Sequence, residues 1–115
     1  MEVQIFGVKN NADVRKAERF FKERRIRIHF MDFKQRGPSP GELRRFFQKF
    51  GEEKLIDRES RRFVALGLQA AYYGDERWLE IACDEPLILR QPLVRAGNRL
   101  SVGFAEDEWK EWVAG

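Results

Sequence analysis

Hydrophobic and polar residues follow each other in patterns that predict a strand, a helix and a second strand at the start of the chain. Residues 2–6 (EVQIF) are typical of a short strand that Gly7 closes. Apolar residues at helical spacing predict a helix over residues 12–24, and the alternating residues 26–33 (IRIHFMDF) predict a second strand. Because a helix joins the two strands, we expect them to be parallel, with a right-handed crossover.

A helix start near residue 39 is the clearest local signal in the chain. Ser39 can cap the helix, Pro40 suits its first position, and Glu42 stands three residues after Ser39, as in a capping box. Apolar residues then recur at helical spacing, and Gly51 is expected to end the helix.

The rest of the chain predicts further helices and one β-hairpin. The segments are a loop at residues 34–38, irregular or short helical chain at 52–74, a helix at 75–83 that stops before Pro86, strands at 93–95 and 99–102, and a last helix at 106–113. The small residues Ala96, Gly97 and Asn98 are expected to form the hairpin turn. The order β-α-β, helices, β-β-α predicts an α/β protein with the thioredoxin-like fold, a mixed central sheet flanked by helices.

Length and composition favour one globular domain. The chain has 115 residues, of which 43% are hydrophobic, and its aromatic residues can fill a core. We therefore predict a single domain over residues 1–115, with a helical insert at about residues 39–85. No apolar run approaches the ~20 residues that span a bilayer, and the N-terminus lacks the basic and apolar regions of a signal peptide. The expected compartment is the cytoplasm, and no membrane partner is expected.

The charge of the chain does not indicate a nucleic-acid partner. There are 22 basic and 19 acidic residues, so the formal net charge is +3. Arginine pairs such as Arg24-Arg25 and Arg61-Arg62 lie beside acids, which is typical of a solvated surface rather than of a nucleic-acid-binding face. The sequence carries no motif for nucleic-acid or nucleotide binding.

The inventory of reactive side chains excludes several chemistries. The one cysteine, Cys83, cannot form an internal disulfide, and with the one histidine, His29, it cannot complete a structural zinc site. His29 is expected to be a packed or half-exposed strand residue, and Cys83 is expected to have a structural role. The aromatic residues Tyr72, Tyr73 and Trp78 belong either to the core or to a partner surface, and the sequence leaves both interpretations open.

Three stretches of the chain resemble the arsenate reductase-like (ArsC-like) branch of the thioredoxin fold, which includes the Spx-type regulators. They are IFGVKNNADVRKAERFFKERRIRIHFMDFKQRGPSPGEL, LIDRESRRFVALGL and PLILRQPLVRAGNRLSVGF. The resemblance covers almost the whole chain. The matching motifs are Phe6-Gly7-Val8-Lys9-Asn10, Gln91-Pro92 and Val102-Gly103-Phe104.

The resemblance implies a redox centre whose key residues are replaced in this chain. The family carries a cysteine just before the first helix, where the helix N-terminus lowers the pKa of a thiol, and that position corresponds to Asn11. The second cysteine of the Spx-type C-x-x-C motif corresponds to Val14. Two arginines of the family correspond to Gln91 and Glu59. Together these replacements argue against arsenate reduction.

The resemblance also implies that the scaffold of the site persists as a pocket for an anion or another ligand. In this fold the proline before the third strand is cis and faces the start of the first helix, so a cis peptide bond is expected at Pro92. The predicted pocket residues are Lys9, Asn10, Asn11, Arg58, Arg90 and Pro92, with no catalytic residue and no metal ligand among them. Either Asn11 only caps the helix, or it caps the helix and also contacts a ligand.

Two functional hypotheses from different classes follow. The first is a redox-inactive ArsC-like protein that acts as a binding or regulatory module. By analogy with the Spx-type regulators, its partner would be a protein of the transcription machinery, contacted by the helical insert and the segment Arg58–Arg62. The second is a protein that retains the family's pocket, where it binds an oxyanion or glutathione or acts as a thiol-dependent arsenate reductase-type oxidoreductase. No cofactor is expected, unless glutathione is one.

Overall fold

The computed structural model describes residues 1–115 and contains ten helices and strands. These are β1 (Glu2–Gly7), α1 (Ala12–Glu23), β2 (Arg27–Asp32), α2 (Pro40–Leu55), α3 (Arg61–Ala65), α4 (Asp75–Asp84), a 3-10 helix (Pro86–Ile88), β3 (Leu93–Ala96), β4 (Arg99–Val102) and α5 (Glu106–Ala114). The chain divides into two compact units, one formed by Met1–Asp32 with Gln91–Gly115 and the other by Phe33–Arg90. The single domain over residues 1–115 stays a prediction. None of the helices is long and apolar enough to span a membrane.

The first unit contains a four-stranded mixed sheet in the order β2-β1-β3-β4. β1 pairs with β2 in parallel, with Val3 opposite Ile28, as expected for two strands joined by a helix. β3 is antiparallel to β1, and β3 and β4 form the predicted hairpin. The prediction of a three-residue turn is wrong, because Ala96 still pairs with Arg99 and only two residues remain between them. Gly97, with φ of 63°, adopts the left-handed conformation that so tight a turn requires.

Apolar side chains on one face of this sheet pack against α1 and α5. Successive side chains of a strand point to opposite faces, so each strand contributes alternate residues to this core. The core residues are Val3, Ile5, Val14, Ala17, Phe20, Phe21, Val94, Ala96, Trp109 and Trp112. The indole Nε1–H of Trp109 donates a hydrogen bond of 2.8 Å to Ser101 Oγ, so these two buried polar groups satisfy each other.

The second unit is helical and has buried aromatic residues of its own. At the start of α2, Ser39 Oγ accepts from the Glu42 backbone N–H and the Glu42 carboxylate accepts from the Ser39 N–H, so the predicted capping box is confirmed. The prediction that Gly51 ends the helix is wrong in part. Gly51 breaks the helix with φ of 75°, but the chain then resumes a helical turn as far as Leu55. The buried apolar residues here include Leu43, Phe46, Phe47, Phe63, Trp78 and Leu79.

Candidate functional site

In the first unit, the end of β1, the start of α1 and the peptide before β3 come together. The Asn11 N–H donates to the Val8 carbonyl at 3.1 Å, which closes the turn between β1 and α1. Gly7 lies so close to its neighbours that an added Cβ would be 2.6 Å from Val14 Cγ2 and 2.9 Å from Gln91 Oε1. Glycine is therefore required here by close packing, because a side chain would displace one of these neighbours.

Asn11 is the N-cap residue of α1. Its Oδ1 accepts hydrogen bonds from the backbone N–H groups of Asp13 at 2.9 Å and Val14 at 3.0 Å. The predicted cap is therefore confirmed, and it takes the position where the resemblance places the family's cysteine. Two of the N–H groups that a helix N-terminus offers to an anion already have an acceptor within the chain.

Gln91 supplies a second internal acceptor at the same place. Its Oε1 accepts a 2.8 Å hydrogen bond from the Val8 backbone N–H. The peptide bond between Gln91 and the buried Pro92 is cis, which confirms the prediction for Pro92. The resemblance expects an arginine at position 91, a side chain that only donates hydrogen bonds, whereas the glutamine uses its acceptor oxygen.

The two remaining pocket residues of the first unit are exposed. Asn10 lies in the turn after β1, and Lys9 places its Nζ 5.1 Å from the centre of the Phe30 ring. An ammonium group at this distance from an aromatic face is attracted by the ring electrons. The first unit thus contains four of the predicted pocket residues, which are Lys9, Asn10, Asn11 and Pro92.

Arg58 belongs to the second unit, where its guanidinium group has several partners within the chain. Nη2 donates to the Ala71 carbonyl at 3.2 Å and lies 3.9 Å from Glu52 Oε2. The guanidinium carbon lies 5.1–5.4 Å from three ring centres, those of Phe63, Tyr72 and Trp78. A guanidinium group stacked on aromatic faces holds the segment that carries them in place.

Arg90, the last residue of the second unit, is exposed. Its backbone N–H donates to the Leu55 carbonyl at 2.8 Å, beside a bridge between Ile56 and Leu89. The suggestion that Arg58 or Arg90 closes the pocket at the start of α1 stays a prediction.

The one thiol of the chain is in α4, not at a helix N-terminus. Burial raises the pKa of the Cys83 thiol, and the neighbouring Asp84 raises that pKa further, with Arg44 acting in the opposite direction. A raised thiol pKa leaves little thiolate at neutral pH, and the thiolate is the nucleophile. This environment fits the structural role that the sequence suggested.

Of the three aromatic residues that the sequence assigned either to the core or to a partner surface, the structure buries one and exposes two. Trp78 is fully buried, whereas the side chains of Tyr72 and Tyr73 are 83% and 43% exposed. Two further apolar residues, Val64 and Leu66, are exposed on α3 and at its end. The sequence analysis missed these two, because a five-residue helix is too short to show an apolar stripe.

The fold is shared by solved structures of low sequence identity. The YffB (PA3664) protein is 24% identical, matches over 95% of this chain and 96% of its own, and has a TM-score of 0.85. A putative ArsC family related protein from Bacteroides fragilis is 17% identical over 96% of this chain and 97% of its own, with a TM-score of 0.84. These likenesses confirm the predicted thioredoxin-like α/β fold.

The family follows from the sequence comparison. The model of the ArsC family matches residues 6–112, so this protein belongs to the ArsC family. The uncharacterised protein YusI of Bacillus subtilis is 26% identical over 101 residues, which cover 84% of this chain and 86% of YusI. The global transcriptional regulator Spx 2 of Oceanobacillus iheyensis is 24% identical over 115 residues, which cover 98% of this chain and 84% of Spx 2. The resemblance stated from the motifs is thereby confirmed.

Proposed function

We propose that this protein is a redox-inactive ArsC family member that acts as a binding or regulatory module. The observation that carries the proposal is the N-cap of α1, where Asn11 Oδ1 accepts from two backbone N–H groups. A thiol at this place would be activated by those N–H groups, but an amide has no nucleophilic sulfur. The one thiol, Cys83, lies in α4 and has a raised pKa.

The second amide supports the same proposal. Gln91 Oε1 takes the Val8 N–H, so three backbone donors around the start of α1 have acceptors from this chain. An oxyanion that took these three N–H groups would have to displace both amide oxygens. The cost of leaving donors or acceptors unpaired opposes such an exchange.

We place the partner surface on the second unit. Val64, Leu66, Tyr72 and Tyr73 are exposed on α3 and in the segment that leads to α4. Tyrosine contributes strongly to protein interfaces because it buries much area with few rotatable bonds, and the exposed apolar residues beside it enlarge the surface that a partner can cover. Arg61, at the start of α3, is exposed beside them and adds a positive charge.

The partner that we propose is a protein of the transcription machinery, because Spx 2 is named a global transcriptional regulator. Binding of the purified protein to bacterial RNA polymerase would be measured by biolayer interferometry. We expect Tyr72→Ala and Val64→Glu each to weaken binding by about tenfold or more. Phe104→Ala is the matched control, since Phe104 is 48% exposed but belongs to the first unit. No binding by the unmodified protein, or equal losses in all three variants, would contradict this choice of partner and surface.

A second experiment tests whether the start of α1 is closed to ligands. Arsenate, phosphate and glutathione would each be titrated to millimolar concentration while backbone amide NMR shifts are followed. We expect no saturable shifts at residues 7–14 or at Gln91, and no reduction of arsenate in the presence of glutathione. Saturable shifts confined to these residues would support the alternative function, a small-molecule site at Lys9, Asn11 and Pro92.

A further inference from the structure

A groove of about 350 Å³ opens on the sheet of the first unit, away from the start of α1. Its lining residues are Glu2, Val3, Gln4, His29, Arg95 and Gly97. These residues belong to the first half of β1, to β2 and to the tip of the β3–β4 hairpin. The start of α1 follows the other end of β1, so the groove and the start of α1 lie near opposite ends of this strand.

Three polar side chains form a row across the floor of this groove. Gln4 in β1 is the register partner of both His29 in β2 and Arg95 in β3. Register partners point to the same face of a sheet, on strands about 4.8 Å apart. The imidazole, the amide and the guanidinium groups therefore project from one face, with His29 and Arg95 separated by about two strand spacings, or ~10 Å.

Arg95 is the free cation of this row. Its Nε donates a 2.9 Å hydrogen bond to the Gly97 carbonyl, which ties the side chain to the hairpin turn. No carboxylate lies within 4.0 Å of its nitrogens to form an ion pair, so both Nη groups remain available as donors. A guanidinium group held at Nε presents a pair of parallel donors whose spacing matches a carboxylate or phosphate group.

The one acid of the groove, Glu2, contacts Arg27 and the imidazole of His29. Glu2 Oε1 lies 3.3 Å from His29 Nε2 and 3.7 Å from Arg27 Nε. These contacts are with residues of β2, whereas Arg95 belongs to β3, on the other side of β1. The ion pair with Arg27 is exposed and 3.7 Å long, so it offsets the charge of Glu2 only in part. When one anionic group of a ligand binds Arg95, a second anionic group near Glu2 would be repelled and a cationic group would be attracted.

We propose that this groove binds a small molecule that carries one phosphate or carboxylate group on a neutral or cationic remainder. The oxyanion pairs with the Nη groups of Arg95 and accepts a hydrogen bond from the Gln4 side-chain amide. The remainder of the molecule lies toward Glu2 and His29. This binding site is independent of the partner surface on the second unit.

NMR titrations with phosphate, acetate, phosphoethanolamine, β-alanine and succinate would test the proposal. We expect saturable amide shifts at Gln4, Arg95 and Gly97 with at least one of the single-anion probes, which would also show whether phosphate or carboxylate is preferred. Phosphoethanolamine should bind more tightly than phosphate, and β-alanine more tightly than acetate, because both carry an ammonium group. Succinate, with two carboxylates, should bind more weakly than acetate. No saturable shift with any of the probes would overturn the proposal.

Matched arginine variants separate a defined site from a diffuse charge effect. Arg95→Gln should weaken binding by about tenfold or more. Arg95→Lys keeps the charge but loses the paired donors, so its affinity should lie between those of Arg95→Gln and the unmodified protein. The control is Arg99→Gln in the same hairpin, because Arg99 is one register position away and donates to the Trp112 carbonyl instead. Equal losses in Arg95→Gln and Arg99→Gln, with both proteins giving well-dispersed spectra, would contradict the assigned site.

Discussion

The cap of α1 allows the structural contribution of Asn11 to be measured directly. In the unmodified protein, Asn11 Oδ1 lies 2.9 Å from the backbone N of Asp13 and 3.0 Å from that of Val14. In Asn11→Ala, both N–H groups lose this acceptor. Replacing such a cap by alanine costs about 1 kcal/mol, within a range of roughly 0.5–2 kcal/mol. We expect the upper half of that range, because Oδ1 of Asn11 satisfies two donors rather than one.

The expected loss is large enough to see by thermal unfolding. Unfolding entropies of about 2.1 cal/mol/K per residue mean that 1 kcal/mol lowers Tm by roughly 4 °C in a chain of this length. Circular dichroism melts of Asn11→Ala should therefore show a Tm lower by about 5–8 °C. Asn11→Asp should remain close to the unmodified protein, because a carboxylate can cap the helix and interacts favourably with its dipole.

Asn10→Ala is the matched control for this measurement. Asn10 precedes the cap by one residue, has the same side chain and is exposed in the turn. We expect its Tm to change by only a fraction of the change in Asn11→Ala. Equal Tm values for the two alanine variants would refute the assignment of Asn11 as the stabilising cap.

Three further predictions concern other parts of the chain. Ser101→Ala leaves the buried Trp109 Nε1–H without an acceptor and should lower the free energy of unfolding by about 1–3 kcal/mol in urea titrations, so an unchanged midpoint would contradict the role of this bond. Burial raises the pKa of the Cys83 thiol, so mass spectrometry should find its alkylation by iodoacetamide at neutral pH slower than that of free cysteine; an equal or faster rate would argue against this. The paired hydrogen bonds from Arg62, one of them 2.8 Å long, lower the pKa of Glu85. Their stabilisation is therefore full above the ordinary carboxyl pKa and is lost as the pH falls through the lowered pKa of Glu85. Denaturation at several pH values should show a smaller loss in acid for Glu85→Gln, and equal losses would exclude this contribution.

Most of the fold could be predicted because local signals agree with the tertiary structure. The capping box of Ser39 and Glu42 and the two strands joined by a helix were read from residues close in sequence. Where the prediction was wrong, a glycine was involved. Gly51 kinks α2 without ending it, and Gly97 allows a hairpin turn of two residues instead of three. Glycine permits several backbone conformations, so its effect depends on the neighbours that pack around it.

The candidate site was harder to predict because its key contacts join residues distant in sequence. The cap by Asn11 is local and was predicted, but the bond between the Val8 N–H and Gln91 spans most of the chain. Likewise, Trp78 and Tyr72 both lie against the guanidinium group of Arg58, yet one is buried and the other is largely exposed. Composition and periodicity contain no information on which member of such a cluster the fold covers.

The two side-chain amides at the start of α1 place hydrogen-bond acceptors where the family resemblance leads one to expect free donors. The resemblance to redox members of the ArsC family implied a site where unpaired N–H groups and an arginine offer donors to a thiolate or an oxyanion. Here Asn11 and Gln91 turn acceptor oxygens toward those donors, and an amide does this without any net charge. Gln91 Oε1 would also lie only 2.9 Å from a side chain at Gly7, so the amide fits closely against the end of β1. A thiol introduced at position 11 alone would leave Gln91 Oε1 bonded to the Val8 N–H, so it would restore only part of the donor set, and the two amides therefore have to be considered together.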